Sequence, residues 1–442
     1  MNRRLLLTLI LTALWASPIA AQTREEKVRN DRKKVEAAGY WIYGDLPKAL
    51  AEAKQSGKPI VAVLRCLPCE ECVKLDDELI DADPRLKSLL AQFVRVRIVS
   101  TNGLDLSLFQ FDTDQSFTVF LFNADGTIYG RFGTRSSRSE WIGDVSIDGL
   151  AKALQGALAL HQTYPANKSE LSAKRGPAPE FTTPEKFPSL ASRYKSTLDY
   201  QGEVSKSCIH CHQIGDAIRQ LSFSRQEKLP ETILFPYPHP KSIGLILDPK
   251  EMATVMSVNE DSPAAQAGFQ AGDAIQKLNG QPLLSMADVQ WVLQQTSPDG
   301  GTVQANVLRK GKSQKLILKL EAGWRQRDDI AWRASSWELR RVALGGIFSG
   351  PLPDEDRQRW KLPANSTALL VKHVGLYPPH NLAHQAGIAK GDIIVGIGSR
   401  TDLLRETDVL AERIRKRKPG EKLQISILRN GEPKTVTINF PE

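Results

Sequence analysis

The sequence predicts a multidomain chain, with an α/β domain first and two copies of a small α+β unit after it. Three observations predict this. At 442 residues the chain is long enough for about three or four domains. The first half alternates short apolar strands with amphipathic helices. The second half contains an internal repeat, 262–273 against 382–392, each copy followed by a helix and two strands around a Gly turn. With 41% hydrophobic and 25% charged residues there is apolar material for several cores.

The N-terminus, MNRRLLLTLILTALWASPIAAQ, sets basic Arg3 and Arg4 before an uncharged run from Leu5 to Ile19 and the small pair Ala20-Ala21. This predicts a cleaved signal peptide over 1–21, because the run is shorter than the ~20 residues a spanning helix needs. The expectation is a periplasmic or otherwise exported protein with no membrane span after cleavage. The formal charge of +9 is modest and dispersed. Its one dense basic run, 413–418, reads as a solvated helix face, so no nucleic-acid partner is expected.

After the leader, 24–38 reads as a charged helix. Residues 47–56 read as an amphipathic helix opened by Pro47 and stopped at Gly57. A buried strand over 59–64 follows, then Cys66, Cys69 and Cys72. Next come a helix over 73–91 and a strand over 93–98. The strand 118–122 turns at Asn123-Ala-Asp-Gly126 into a returning strand at 127–130. Residues 162–200, rich in Pro, Ser and Lys, read as a linker with little core. The stretch SCIHCHQIGDAIRQL ends in a short helix, and the C-terminal helices fall at 286–295 and 407–416. The five cysteines form two clusters with two-residue gaps, and the second is Cys208 and Cys211. In an exported chain such spacing points to chemistry or metal binding rather than to a disulfide scaffold.

The segment GKPIVAVLRCLPCEECVKLDDELI resembles the active-site region of exported thioredoxin-like proteins, over about residues 38–160. By that resemblance Cys69 and Cys72 are the redox pair and Cys66 is an extra thiol one turn upstream. A helix N-terminus stabilises the attacking thiolate, so Cys69 is the expected nucleophile and Cys72 the resolving thiol. Glu70 and Glu71 oppose this by raising the thiol pKa. Phe117 stands where thioredoxins carry a cis-proline, which puts general thioredoxin activity in question. Two alternatives stay open at this cluster: a three-thiolate copper(I) or zinc site, and an inert disulfide.

SCIHCHQ carries CxxCH, the c-type haem attachment signature. It implies thioether bonds from Cys208 and Cys211, His212 as proximal iron ligand, and His239 as a candidate distal ligand, with Met252 and Met256 also near in sequence. A zinc site using Cys208, Cys211 and one or both histidines is the alternative, and so is a Cys208–Cys211 disulfide.

The repeat SPAAxAGxxxGD resembles the PDZ domains of bacterial HtrA-type proteases. It implies two PDZ domains, small β-barrels with helices, at 236–322 and 342–442, joined by 323–341. PDZ domains add an extended peptide or protein C-terminus beside one strand. In the first copy the binding loop and strand fall at Ile243, Gly244, Leu245 and Ile246, with Val289 and Leu293 as the opposite wall. In the second, 344–348 takes that place, with Leu410 and Ile414 as wall. No GxSGGP-like motif occurs, so a serine protease is not expected. Trp324-Arg325 and Trp332-Arg333 resemble the inter-PDZ connection of an exported thioredoxin/PDZ multidomain family and read as interface anchors. The domains expected are thus a thioredoxin-like domain at 24–160, a linker carrying CxxCH at 161–235, and the PDZ pair. The function expected is a periplasmic thiol-redox protein whose PDZ domains recruit clients and whose haem relays electrons or senses redox state. The alternative is a non-enzymatic PDZ adaptor whose cysteine clusters are structural or metal-binding.

Overall fold

The computed structural model describes residues 23–65, 83–115, 117–134 and 145–441. The expected signal peptide and the cluster Cys66, Cys69 and Cys72 lie outside the described residues.

The first domain is built on a five-stranded sheet of order β1-β3-β2-β4-β5. Its strands are β1 (Ile42–Tyr43), β2 (Ile60–Arg65), β3 (Val94–Ile98), β4 (Phe117–Phe122) and β5 (Ile128–Thr134). β1, β3 and β2 run parallel, while β4 and β5 are antiparallel additions. Around the sheet pack α1 (Arg24–Ala38), α2 (Leu46–Ser56), α3 (Pro84–Leu90) and α4 (Ile147–Gln162). β2 is buried along its whole length, which is why it reads as an unbroken apolar run instead of an alternating one. Its alternate residues feed two cores, Val61 and Val63 on one face and Ile60, Ala62 and Leu64 on the other. The helices start where short polar side chains cap them: Asp45 accepts from the Lys48 amide at 2.9 Å and Ser146 from Gly149 at 3.0 Å.

The expectation of a coreless linker over 162–200 is overturned. Phe187, Leu190 and Tyr194 are buried against the face that holds Phe109 and Phe120. Proline and serine there make tight turns and single-turn helices that wrap the sheet. Helix α5 (Cys211–Ser224) lies on the same face through Ile214 and Ala217.

The second half contains two units of matching element order. In the first, a two-stranded ribbon, β6 (Leu245–Leu247) and β7 (Val255–Val258), accompanies a four-stranded sheet of order β11-β10-β8-β9. That sheet comprises β8 (Ala274–Leu278), β9 (Gln281–Pro282), β10 (Gly301–Arg309) and β11 (Lys312–Leu320), with α6 (Met286–Gln295) against it. The second unit is preceded by α7 (Ser336–Leu344). It has a five-stranded sheet of β12 (Ile347–Pro351), β13 (Leu369–Val374), β14 (Ile393–Ile397), β15 (Lys422–Arg429) and β16 (Glu432–Asn439), with α8 (Glu406–Lys416). The repeat has a specific logic. Arg309 grips Asp273 with two bonds of 2.7 Å and the Gly268 carbonyl at 2.7 Å. Arg429 does the same to Asp392, at 2.7 and 2.8 Å, and to Gly387. The Gly-Asp end of each motif is thus locked to the arginine before the hairpin turn.

Neither unit closes into the expected small barrel. In the first, a single bridge from Thr254 to Ala274 joins ribbon to sheet, and in the second β12 and β16 remain separate edges. The apolar faces of α6 (Val289, Val292, Leu293) and α8 (Val409, Leu410, Ile414) fill the open side, so the cores complete without closure.

The domains are joined by buried charges. Asp288 of α6 accepts from the backbone amides of Arg131 in β5 at 3.2 Å and of Leu284 at 2.9 Å, and pairs with Lys174 Nζ at 3.0 Å. Arg131 stacks 4.0 Å from the Trp291 ring centroid. Gly130 permits this approach, since a Cβ there would lie 2.7 Å from Leu284 Cδ1. Farther along, Arg333 donates to Asp112 at 2.6 Å and to the Pro236 carbonyl at 2.5 Å, while Ser335 binds Asp114. Trp324, Arg325 and Arg333 are buried, as anchors must be.

Removing one member of a buried charge cluster strands the others. Asp288→Ala is therefore expected to cost about 3–5 kcal/mol in urea unfolding. Lys168→Ala, which removes an exposed pair with Asp125, is expected to leave the urea midpoint nearly unchanged.

Candidate functional site: a docked thiol cluster and a peptide-binding edge

The Cys-Ile-His-Cys segment is pinned to the carboxyl end of the parallel strands. The Ile209 carbonyl accepts from the Thr101 amide at 3.2 Å and from its hydroxyl at 2.9 Å. The Ile209 amide donates to Asn102 Oδ1 at 2.8 Å, and Asn102 Nδ2 donates to Ser207 and Lys195 carbonyls. Ile209 itself is fully buried in the core with Leu64 and Ile98. Upstream, Glu25 of α1 accepts from the Val204 and Ser205 amides, chiefly Ser205, which holds its carboxyl down at about 2. Arg29 of α1 donates to the Tyr200 and Gly202 carbonyls. These clamps place Cys211 at the edge of a cavity of about 10 Å3 whose other walls include Arg65 at the end of β2. Arg65 is buried, pairs with Asp31, and directly precedes Cys66 in sequence.

The two thiols differ in environment. Cys208 is 5% exposed, and burial pushes its thiol up, partly offset by the Ser100 hydroxyl. Its Sγ donates to the Ile209 carbonyl at 3.8 Å, and it carries no disulfide. Cys211 is half-buried and is the first residue of the 14-residue helix α5, where backbone N–H groups favour a thiolate. His210 precedes it with its amide bound to Gln213 Oε1 at 2.8 Å. Burial, with help from His212 and Arg24, lowers the His210 imidazole to about 4, so it is neutral near pH 7. His212 is more open, stacks on His210 with centroids 5.9 Å apart, and lies 3.5 Å from Asp216.

A covalent haem needs both sulfurs at one porphyrin edge, and as placed Cys208 is buried while Cys211 is half-buried beside a cavity of about 10 Å3. The described pockets of about 330 and 580 Å3 are lined by neither cysteine nor by His212. His239, the candidate distal ligand, caps the turn before β6: its Nδ1 accepts from the Lys241 amide at 3.1 Å and its amide faces Asp328. Among the described residues no three His, Cys, Asp or Glu side chains converge to hold a metal ion. The reason is local. The two thiols flank Ile209, and burying that isoleucine turns them into different surroundings.

The peptide-binding residues of the first unit divide. Ile243 is buried and Gly244 has φ +88°, where a Cβ would lie 2.1 Å from Ser262 Oγ, so only glycine fits. Beside it, Ser242 Oγ is buried and has no hydrogen-bond partner. β6, carrying Leu245 and Ile246, pairs only with β7, which leaves its other edge unpaired in the described sheet. Val289 and Leu293, expected as the opposite wall, are instead fully buried. α6 is enclosed by its own core on one side and by β5 on the other, so neither side chain offers surface to a peptide in this state. In the second unit α7 packs across α8 and β12. Arg340 binds Glu406, which also accepts from the Ser349 amide at 2.6 Å, and Leu339, Leu410 and Ile414 share one core. The chain's own helix covers that wall. Sequence reasoning missed both enclosures, because the long-range partners of α6 and α8 leave no local signature beyond the glycines of β5.

Comparison with known families bears on these two regions. A thioredoxin-like family model matches residues 41–124 and a PDZ domain model matches residues 223–320. The chain carries a thioredoxin-like domain followed by a PDZ domain. The PDZ match contains β6 to β11 and begins within α5. Among curated relatives, a probable periplasmic serine endoprotease DegP-like from Pseudomonas savastanoi is 26% identical over 199 residues, 44% of this chain and 39% of the relative. A probable periplasmic serine protease do/HhoA-like from Haemophilus influenzae is 32% identical over 36% of this chain and 30% of its own length. Periplasmic serine endoprotease DegP from Salmonella typhimurium is 30% identical over 34% and 27% respectively. The chain thus spans less than two fifths of the length of these relatives. Among solved structures, the HtrA-type protease AlgW with a decapeptide matches at 16% identity and a TM-score of 0.20, over 31% of this chain and 48% of that one.

After mild reduction, iodoacetamide should label Cys211 at least about tenfold faster than Cys208, read by peptide mass mapping. Equal rates would contradict the burial difference. The lowered His210 pKa also fixes a pH effect. Between about 6.5 and 4 the unfolded chain binds the extra proton, so stability falls as pH drops through that window and levels off below it. The loss is on the order of 3 kcal/mol. His210→Gln should flatten it in urea titrations at each pH.

Proposed function

We propose that the protein is an exported thiol–disulfide exchange protein whose PDZ domain presents protein clients to the thioredoxin-like domain. The observation that supports this most is the docking of Cys208-Ile209-His210-Cys211 at the carboxyl ends of β2 and β3. In open α/β sheets that end is where ligands and chemistry gather. It sets a second dithiol beside Arg65, the residue before the sequence-predicted cluster. Export rests on the leader, the periplasmic names of the relatives, and the finding that no described helix is long and apolar enough to cross a membrane.

In this reading the Cys69 thiolate attacks one sulfur of a client disulfide and expels the other as a thiolate. Cys72 then attacks the Cys69 sulfur, which releases the reduced client and leaves a Cys69–Cys72 disulfide. That disulfide is reduced in turn by an external dithiol donor. Client segments would add to the free edge of β6, with the carboxylate received near Ser242 and Gly244. Because α6 is held against β5, full seating of a peptide needs α6 to shift, which links client binding to the domain interface.

A Cys72→Ser variant should accumulate mixed disulfides with periplasmic proteins, seen as bands lost on reduction. Their absence, with a Cys69–Cys72 pair that does not cycle, would leave the adaptor reading. In that case C-terminal peptides would bind with no redox change. A Soret band surviving acid–acetone extraction would instead establish covalent haem and require Cys208 to face outward.

A further inference from the structure

A second cavity, of about 330 Å3, lies where the thioredoxin-like domain, the linker, α5 and the start of the PDZ domain meet. Phe109 and Phe111 follow β3, Phe181 and Phe187 come from the linker, and Ile214 and Ile218 from α5; together they give it an apolar lining. Arg219 also lines it, and is only 2% exposed. A buried guanidinium carries five N–H donors, and leaving them unpaired is costly. Among the described residues, Arg219 Nη2 donates to Asp216 Oδ1 at 2.9 Å and its Nε is buried with no partner.

The other carboxylates of the lining do not serve it. Asp114 is taken by Arg333 and Ser335, and Glu180 by Arg225 at 3.0 and 2.5 Å. Beside Arg219, Gly215 lets α5 lie close to Thr113, where a side chain would not fit. A Cβ there would lie 2.9 Å from Thr113 Oγ1 and 3.4 Å from Arg219 Nη2. A hydroxyl and a guanidinium thus lie near each other in a lining whose other polar members include Gln110 and Gln294. Ligand sites have this composition, a greasy body with few placed polar groups.

We propose that this cavity binds an aliphatic carboxylate, with the head group on Arg219 and Thr113 and the chain among the phenylalanines. The carboxylate would pair with the guanidinium through charge-assisted hydrogen bonds, which are stronger than those to a neutral acceptor. A cavity of about 330 Å3 falls in the range that takes a small aliphatic ligand. Asp216 bridges Arg219 and His212, so an occupied cavity would also touch the hydrogen bonding of the CxxCH helix.

The full chain titrated calorimetrically with dodecanoate and with dodecanol tests this. Dodecanoate should bind once per chain and roughly tenfold or more tighter than dodecanol. Arg219→Gln should abolish that preference. Ile233→Trp, at the half-buried rim, should fill the cavity and remove binding of both while circular dichroism stays native. Equal affinity for acid and alcohol, dodecanoate binding that survives Ile233→Trp, or no binding at all would each overturn the proposal. None of these outcomes bears on the thiol reading.

Discussion

Asp288 sits where three parts of the chain meet, and the arrangement of the domains depends on it. It belongs to the PDZ helix α6, yet it accepts from the backbone of β5 and pairs with a linker lysine. Burial pushes Lys174 down from its ordinary value and Arg131 to about 10, and Asp288 opposes both shifts. Three buried charges tolerate one another only in this geometry. Through it the thioredoxin-like sheet, the linker and the PDZ helix form one packed body, and the Arg333 cluster extends that body toward the second unit.

This constraint explains why the two candidate sites differ in openness. The thiol cluster is fixed by backbone bonds from Thr101 and Asn102 and by α1, so its position relative to β2 is determined. The β6 edge is free, but the helix opposite it is engaged elsewhere. A PDZ domain in isolation can yield its groove cheaply. Here the groove helix is also an interdomain element, and any movement of α6 is felt at β5.

Much of the fold was legible locally. Helices 24–38 and 286–295 match α1 and α6 residue for residue, because Thr23 and Ser285 cap their starts and Gly39 stops the first. The repeat was legible because Gly-Asp and the hairpin arginine recur at fixed spacing. The linker was misread, since its prolines and serines conceal Phe187, Leu190 and Tyr194, whose core includes the distant Phe109 and Phe120. The wall residues Val289 and Leu293 were assigned by family register, which reveals neither their burial in the unit's own core nor the packing of α6 on β5. Gly130 and Gly156 were the available clue: each sits where a Cβ would strike Leu284.

The central claim is that α6 belongs mechanically to the thioredoxin-like domain as much as to its own. Hydrogen exchange of the full chain in rising urea, followed on peptides covering Ile128–Thr134 and Met286–Gln295, tests it most directly. The account predicts that the two segments lose protection together, as one cooperative unit. If α6 opens with β10 and β11 while β5 stays protected, the domains are merely adjacent and the account fails.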